Sequence, residues 1–382
     1  MRKTSVTLAA AVAIGLSAAL AAQAPSAAAS RQRRSTVTPD AKASTFARPS
    51  PDNDTLTAVE GVKVGHFTLT ARPTGCTVVL VKEGTTGGVD QRGGAPGTRE
   101  TDVLNPVNNV QIVNAVVLSG GSAFGLDAAS GTMHWLDEHN IGYPVGAAGV
   151  VPIVPAAILF DLGFGGSPKI RPGVDCGYKA ADAATEAPVQ EGNVGAGAGA
   201  TVGKSAGHPM KAGIGSAAIK LPNGLVVAAL VAVNAVGDIV DPQTGQVVAG
   251  TRTEDGKHLA DARKLLREGF RRQTTGRAGE NTTIGIVATN AKLTKVQATK
   301  MAQMAADGYA RAIYPVHTPG DGDTIFSLAT GTWTGEANYG TVGALAAAAM
   351  ADAIVRAATQ ATSSGGLPSA RDLGTIPDRL KK

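Results

Sequence analysis

Aromatic side chains make up only 4% of this 382-residue chain and charged ones 17%, so neither ring packing nor a dense charge lattice organises it. No basic stretch is interleaved with aromatics, which removes a nucleic-acid platform from consideration. The formal net charge of +5 is carried partly by the termini. Cysteine occurs twice, at Cys76 and Cys176, with no Cys-x-x-Cys, and the six histidines are scattered, so a zinc site lacks its ligand spacing. Sequence leaves open whether the two cysteines pair, because it does not fix the distance between them. Beyond the first 22 residues no stretch reads as long and apolar enough to span a membrane.

What is abundant is small. Glycine numbers 49 and alanine dominates many segments, while 43% of the chain is hydrophobic, ample for a buried core. Such a composition packs by close backbone approach between thin layers, which favours stacked sheets and helices. Met1-Arg2-Lys3, an apolar run from Val6 to Ala22 and the small-residue pattern Ala22-Gln23-Ala24 read as an export signal over residues 1–24, hence a secreted protein, with an uncleaved anchor as the alternative because the run is near the length of a short span. No cysteine follows that run directly, which argues against a lipid anchor. Residues 25–55 lack apolar periodicity and read as a disordered leader, with Arg31-Gln32-Arg33-Arg34 as a solvated or processing cluster.

The fold is expected to start near Leu56. Short strands from Val59 to Val81 flank a turn at Arg72-Pro73-Thr74-Gly75 and suggest a hairpin; a Gly-rich loop, 84–97, follows. Ala115–Leu118 reads as a buried strand that Ser119-Gly120-Gly121-Ser122 turns into a helix, leaving free N–H groups at the helix entrance. That turn lacks the Lys-[ST] of a phosphate loop and the G-x-G-x-x-G spacing, so a structural or oxyanion-supporting turn is the better reading. A Pro- and Gly-rich loop spans 151–177, and the alternating glycines of 193–204 suggest a strand pressed on a neighbouring layer. Strands near 214–219 and 225–233, a charged helix over 255–270 and an exposed loop over 271–280 come next. A strand at 282–289, a helix over 295–313 capped by Thr294, a strand at 324–330 and a buried Ala-rich helix over 342–359 complete the chain.

Asn281-Thr282-Thr283 opens the strand at 282–289. If the chain is cut between Asn281 and Thr282, the second piece begins with a hydroxyl nucleophile carrying its own base, since a free α-amino group has a pKa of about 8. The same residues also fit a glycosylation pattern or an ordinary strand opening.

Ser119-Gly120-Gly121-Ser122-Ala123-Phe124-Gly125-Leu126-Asp127, the 195–204 segment ending in Lys204, Asn281-Thr282-Thr283 and Asp321-Gly322-Asp323-Thr324 together resemble the DmpA-type peptidases, which are similar to N-terminal nucleophile hydrolases. The resemblance covers about 59–361. Within that family, Asp-Gly-Asp resembles the nylon-oligomer (6-aminohexanoate oligomer) endo-hydrolases more than the β-aminopeptidases, which use serine. The resemblance implies an α+β fold, a four-layer αββα sandwich over 56–361. It further implies self-cleavage into a large chain, 56–281, and a small chain, 282–382, that stay associated and assemble further, as a tetramer of αβ pairs. Thr282 is then the nucleophile and Asn281 donates the carbonyl attacked in maturation. Asp321 and Asp323 orient Thr282 and its amine, Lys204 lies near the nucleophile, and Asn234 helps hold the oxyanion. Phe160 stands near a family tyrosine, so Phe160 and Asp161 are candidate substrate contacts. The implied substrate is a small peptide or amino-acid oligomer, with no metal or organic cofactor, no nucleic acid, and no membrane beyond the signal. Two alternatives stand beside this reading: an acyltransferase of the ornithine acetyltransferase type, and a non-catalytic secreted binding protein.

Overall fold

The computed structural model describes residues 46–206, 208–269 and 280–381. The export signal, most of the leader and nearly all of the loop at 271–280 lie outside the described residues. Ten strands build two five-stranded sheets: β1 (Val62–Thr68), β2 (Gly75–Val81), β3 (Thr86–Gln91), β4 (Thr98–Arg99), β5 (Ala115–Ser119), β6 (Ala156–Ile158), β7 (Ile214–Lys220), β8 (Val226–Asn234), β9 (Thr282–Thr289) and β10 (Thr324–Ala329). The first sheet runs β1-β2-β5-β6-β4 and the second β7-β8-β9-β10-β3. Four helices of the described residues cover them: α1 (Ala128–Glu138), α2 (Val174–Asp182), α3 (Lys295–Ala312) and α4 (Tyr339–Thr359).

Alternation along each strand explains the layering. Leu118, Leu230 and Ile286 meet between the sheets, whereas their neighbours Val117, Val231 and Val287 point to the helices on the outer faces. Both faces of the inner strands are thus dry, which is why they read as unbroken apolar runs. The result is the αββα sandwich expected. Glycine brings helix onto sheet: a Cβ at Gly215 would stand 2.0 Å from Ala353 O of α4. Thr294 and Gln297 close a capping box at the start of α3, and Asn338 accepts from Thr341 N at the start of α4.

Several expectations need correction. The 84–97 stretch is not all loop, because β3 lies inside it and pairs antiparallel with β10. The 151–177 stretch likewise holds β6, parallel to β5, and the first turn of α2. Instead of a strand, 193–204 forms a 3-10 turn at Gly195–Gly197 and a two-residue strand, Thr201–Val202. Its glycines are nonetheless pressed close, since a Cβ at Gly197 would come 2.4 Å from Ile214 N. A turn at Thr253–His258 shortens the charged helix to Ala262–Arg267, capped by Asp261. The core already takes in Asn53 and Thr55, and extends past 361 to Ser369 and Ala370. Helix α4, with a mean hydropathy of 1.4 over its window, is long and apolar enough to cross a membrane; 67% of that window is buried in the protein, so its apolar surface is used in packing. Cys76 on β2 and Cys176 on α2 form a disulfide across 100 residues of sequence.

Candidate active site

The site forms where β8, β9 and β10 end together. Antiparallel register sets Asn234, the last residue of β8, opposite Thr282, the first of β9. Parallel pairing of β9 with β10 extends backwards through an isolated bridge between Asn281 and Asp321. Sheet register alone therefore gathers residues about 40 and 50 positions apart around one peptide bond.

That bond is Asn281–Thr282. Thr282 Oγ1 donates to Asn281 O at 2.5 Å, and Gly322 N donates to the same oxygen at 2.9 Å. Asp323 lies beside it, accepting Thr283 N on Oδ1 at 2.7 Å, and on Oδ2 both His317 N at 3.1 Å and His317 Nδ1 at 2.9 Å. Asp321 Oδ2 accepts Thr318 N at 2.7 Å, while its Oδ1 is buried with no hydrogen-bond partner among the described residues. Burial, and secondarily the neighbouring Asp323 charge, push the Asp321 carboxyl above the usual carboxylate range. An acid left with an unfilled acceptor next to a bond that would release an amine is well placed to receive it.

Lys204 and Asn234 form the opposite wall. Lys204 Nζ donates to Asn234 O at 2.9 Å, to Asn234 Oδ1 at 2.8 Å and to Glu280 O at 3.4 Å. Asn234 Oδ1 also accepts Thr201 N, and Nδ2 donates to Phe160 O at 2.9 Å. The expected oxyanion donor is thus turned to Phe160 in the uncut chain. A cavity of about 390 Å³ opens beside Lys204 and Glu280, walled by Phe160, Phe164, Thr201 and Leu367.

Asp161 borders this cavity, but its carboxylate is engaged in the wall. Oδ1 accepts Arg72 Nη2 at 2.8 Å and Gly121 N at 2.9 Å, and Oδ2 accepts Thr74 Oγ1 at 2.5 Å. The Arg72–Asp161 pair is fully buried. Behind it Lys211 is fully buried too, its Nζ bonded to the carbonyls of Gly197, Ala200 and Ala212, and burial pulls its pKa down to about 7. Three N–H groups of the Ser119–Ser122 turn are taken: those of Gly120, Gly121 and Ser122 bond Gly75 O, Asp161 Oδ1 and Leu159 O. It braces the cavity wall and offers those donors to no oxyanion or phosphate.

Sequence reasoning missed His317 and Gly322. Gly322 sat in the open, between two singled-out acids; His317 had only its place four residues before Asp321 as a signal. With φ +55 and its ring stacked on Tyr309, His317 is set to brace Asp323. We expect His317→Ala to slow turnover roughly tenfold or more, the usual worth of a hydrogen bond to a charge. His317→Asn should keep most of the activity, since asparagine tolerates left-handed backbone and offers an amide donor near the Nδ1 position. Steady-state kinetics on both variants checks this.

Residues 54–370 match the family described as Peptidase family S58. An uncharacterized aminopeptidase of Mycobacterium leprae is 43% identical over 344 residues, covering 83% of this chain and 93% of that protein. A 6-aminohexanoate-oligomer endohydrolase of Kocuria sp. is 30% identical over 313 residues, 78% of this chain and 84% of the other. Among solved structures, a Burkholderia sp. β-aminopeptidase superposes with a TM-score of 0.62 at 21% identity, over 87% of this chain and 98% of its own. The L-aminopeptidase D-Ala-esterase/amidase of Ochrobactrum anthropi, a variant of the Ntn hydrolase fold, gives 0.63 at 20% identity, over 88% of this chain and 98% of its own. The two-sheet sandwich is that fold, and with the family match spanning nearly all of the described core, this chain belongs to peptidase family S58.

Proposed function

We propose that the protein is an exported amide hydrolase that cuts itself between Asn281 and Thr282 and then works through Thr282 as an N-terminal nucleophile. One observation carries this reading: a threonine hydroxyl bonds its own preceding carbonyl, and the residue paired across the sheet with that carbonyl's Asn281 is Asp321, a buried acid with an unfilled oxygen. In maturation Thr282 Oγ attacks the Asn281 carbonyl carbon, the C–N bond breaks as the nitrogen takes the proton, and water hydrolyses the resulting ester. The products are an Asn281 carboxylate and a free Thr282 amine. In turnover that amine takes the Oγ proton as Thr282 attacks a substrate amide, the leaving amine departs protonated, and water releases the acyl group. Lys204 lowers the cost of negative charge nearby, and Asp321 and Asp323 hold the new amine and the strand end in place. Asn234 Nδ2 carries two N–H groups, so with one bonded to Phe160 O the other can serve an oxyanion in turnover.

The relatives' names, an aminopeptidase and an oligomer endohydrolase, support small peptides or amino-acid oligomers as substrates. Export is supported by the N-terminal pattern and by the Cys76–Cys176 disulfide, a bond at home in oxidising compartments. The two fragments would stay together because β9 lies between β8 and β10 inside one sheet. Intact mass spectrometry of the purified protein should show a fragment starting at Thr282, and the cut sample should hydrolyse a panel of peptide and oligomer amides. An uncut chain with full activity overturns the proposal.

A further inference from the structure

We propose that the backbone N–H of Gly322 is the oxyanion donor of the self-cleavage step. The inference rests on the maturation reading above and assigns a role that no side chain at the site fills. When Thr282 Oγ adds to the Asn281 carbonyl, negative charge moves onto Asn281 O until the C–N bond breaks. In the described structure that oxygen has two donors, Thr282 Oγ1 and Gly322 N. The first is lost in the reaction itself, because the hydroxyl oxygen becomes the attacking atom and its proton passes to the departing nitrogen. Gly322 N, at 2.9 Å, is the donor left on this oxygen, whereas the hydrogen bond that Asn234 Nδ2 makes goes to Phe160 O.

The donor is also held in place before the reaction begins, which is what makes such a group effective. Gly322 N to Asn281 O continues the parallel ladder of β9 and β10 past its regular end. The turn that carries it is pinned on both sides: Asp321 N bonds Thr318 O at 3.0 Å, Ala95 N bonds Asp321 O at 2.8 Å and Gly94 N bonds Thr318 O at 3.2 Å. The position demands glycine for a further reason. A Cβ at 322 would stand 2.9 Å from Thr282 Oγ1 and 2.9 Å from Ala95 O, pressing on the nucleophile from the face that the N–H serves. A side chain here would therefore move the hydroxyl away from its carbonyl, so ordinary substitutions confound crowding with loss of the donor.

The clean test removes the N–H and adds no atoms. Cell-free translation of the full chain with Gly322→glycolic acid replaces the Asp321–Gly322 amide by an ester. The readout is the first-order rate at which the precursor band converts to two fragments. Losing one oxyanion donor predicts a slowing of about 10²–10³-fold. The same ester at Gly224, whose N–H bonds Leu221 O at the opposite end of β8 from Asn234, controls for the loss of any one hydrogen bond and should change the rate little. Cleavage of the Gly322 ester within about threefold of the natural rate overturns the inference and leaves maturation standing; so does equal slowing by both esters. A natural-sequence chain that stays whole under the same conditions overturns the maturation reading itself.

Discussion

Thr282→Ala should yield one uncut chain and amide hydrolysis at background, a loss on the order of a millionfold, as when a hydrolase nucleophile is removed. The size follows from the double duty of the residue. Alanine takes away the attacking oxygen in both reactions, and without the cut the α-amine that would serve as base never forms. Packing gives no competing explanation, because Thr282 is small and its hydroxyl bonds only Asn281 O among the described residues. Thr282→Ser keeps hydroxyl and amine and should keep both the cut and measurable turnover. Gel analysis with substrate assays on the two variants decides, and a cut alanine variant would remove Thr282 from the chemistry.

The second large effect belongs to Asp321→Asn, and its two readouts move in opposite directions. Hydrolysis should fall by about 10²–10⁴-fold, since a neutral amide cannot balance an ammonium or relay its proton. Stability at neutral pH should rise. Burial, then the Asp323 charge, raise the Asp321 pKa in the folded chain above its unfolded value. Between those two values the native state binds more protons than the unfolded one, so stability drops as pH climbs through that window and stays lower above it. Asparagine carries no such penalty. The gain should therefore be largest near neutral pH and shrink as pH falls through the raised pKa towards the ordinary carboxylate range. Thermal unfolding across pH, with both chains in a Thr282→Ala background to fix the processing state, checks the sign. A variant that loses activity and stability together at neutral pH would mark Asp321 as a plain structural acid.

The elements that were legible in the sequence are those whose local chemistry agrees with their place in the fold. Thr282–Thr289 is a run of small and β-branched residues that becomes a strand dry on both faces, and Thr294 announces the helix that it caps. What stayed hidden was set by distant partners. Thr86-Gly87-Gly88 looks like a loop, yet a Cβ at Gly88 would meet Thr299 N of α3 at 2.6 Å, so the glycines buy contact with a helix in a strand that only β10 makes possible. Asp161 gave no hint that Arg72, Thr74 and Gly121 would claim its oxygens, because those partners lie 40 to 89 positions away. His317 was passed over for a different reason: its partner Asp323 is only six residues on, but its meaning comes from the turn that folds it back.

The place of β9 inside its sheet has one more consequence. Before the cut, Thr282–Thr289 reaches its slot between β8 and β10 as part of one polymer, and folding is a first-order search. If the chain is cut there as proposed, the same hydrogen-bond ladder would join two molecules, so melting would release separate pieces whose recovery depends on protein concentration. On that proposal the whole chain would be the form that can be unfolded and recovered at any dilution, whereas the cut one would carry a memory of having been folded whole.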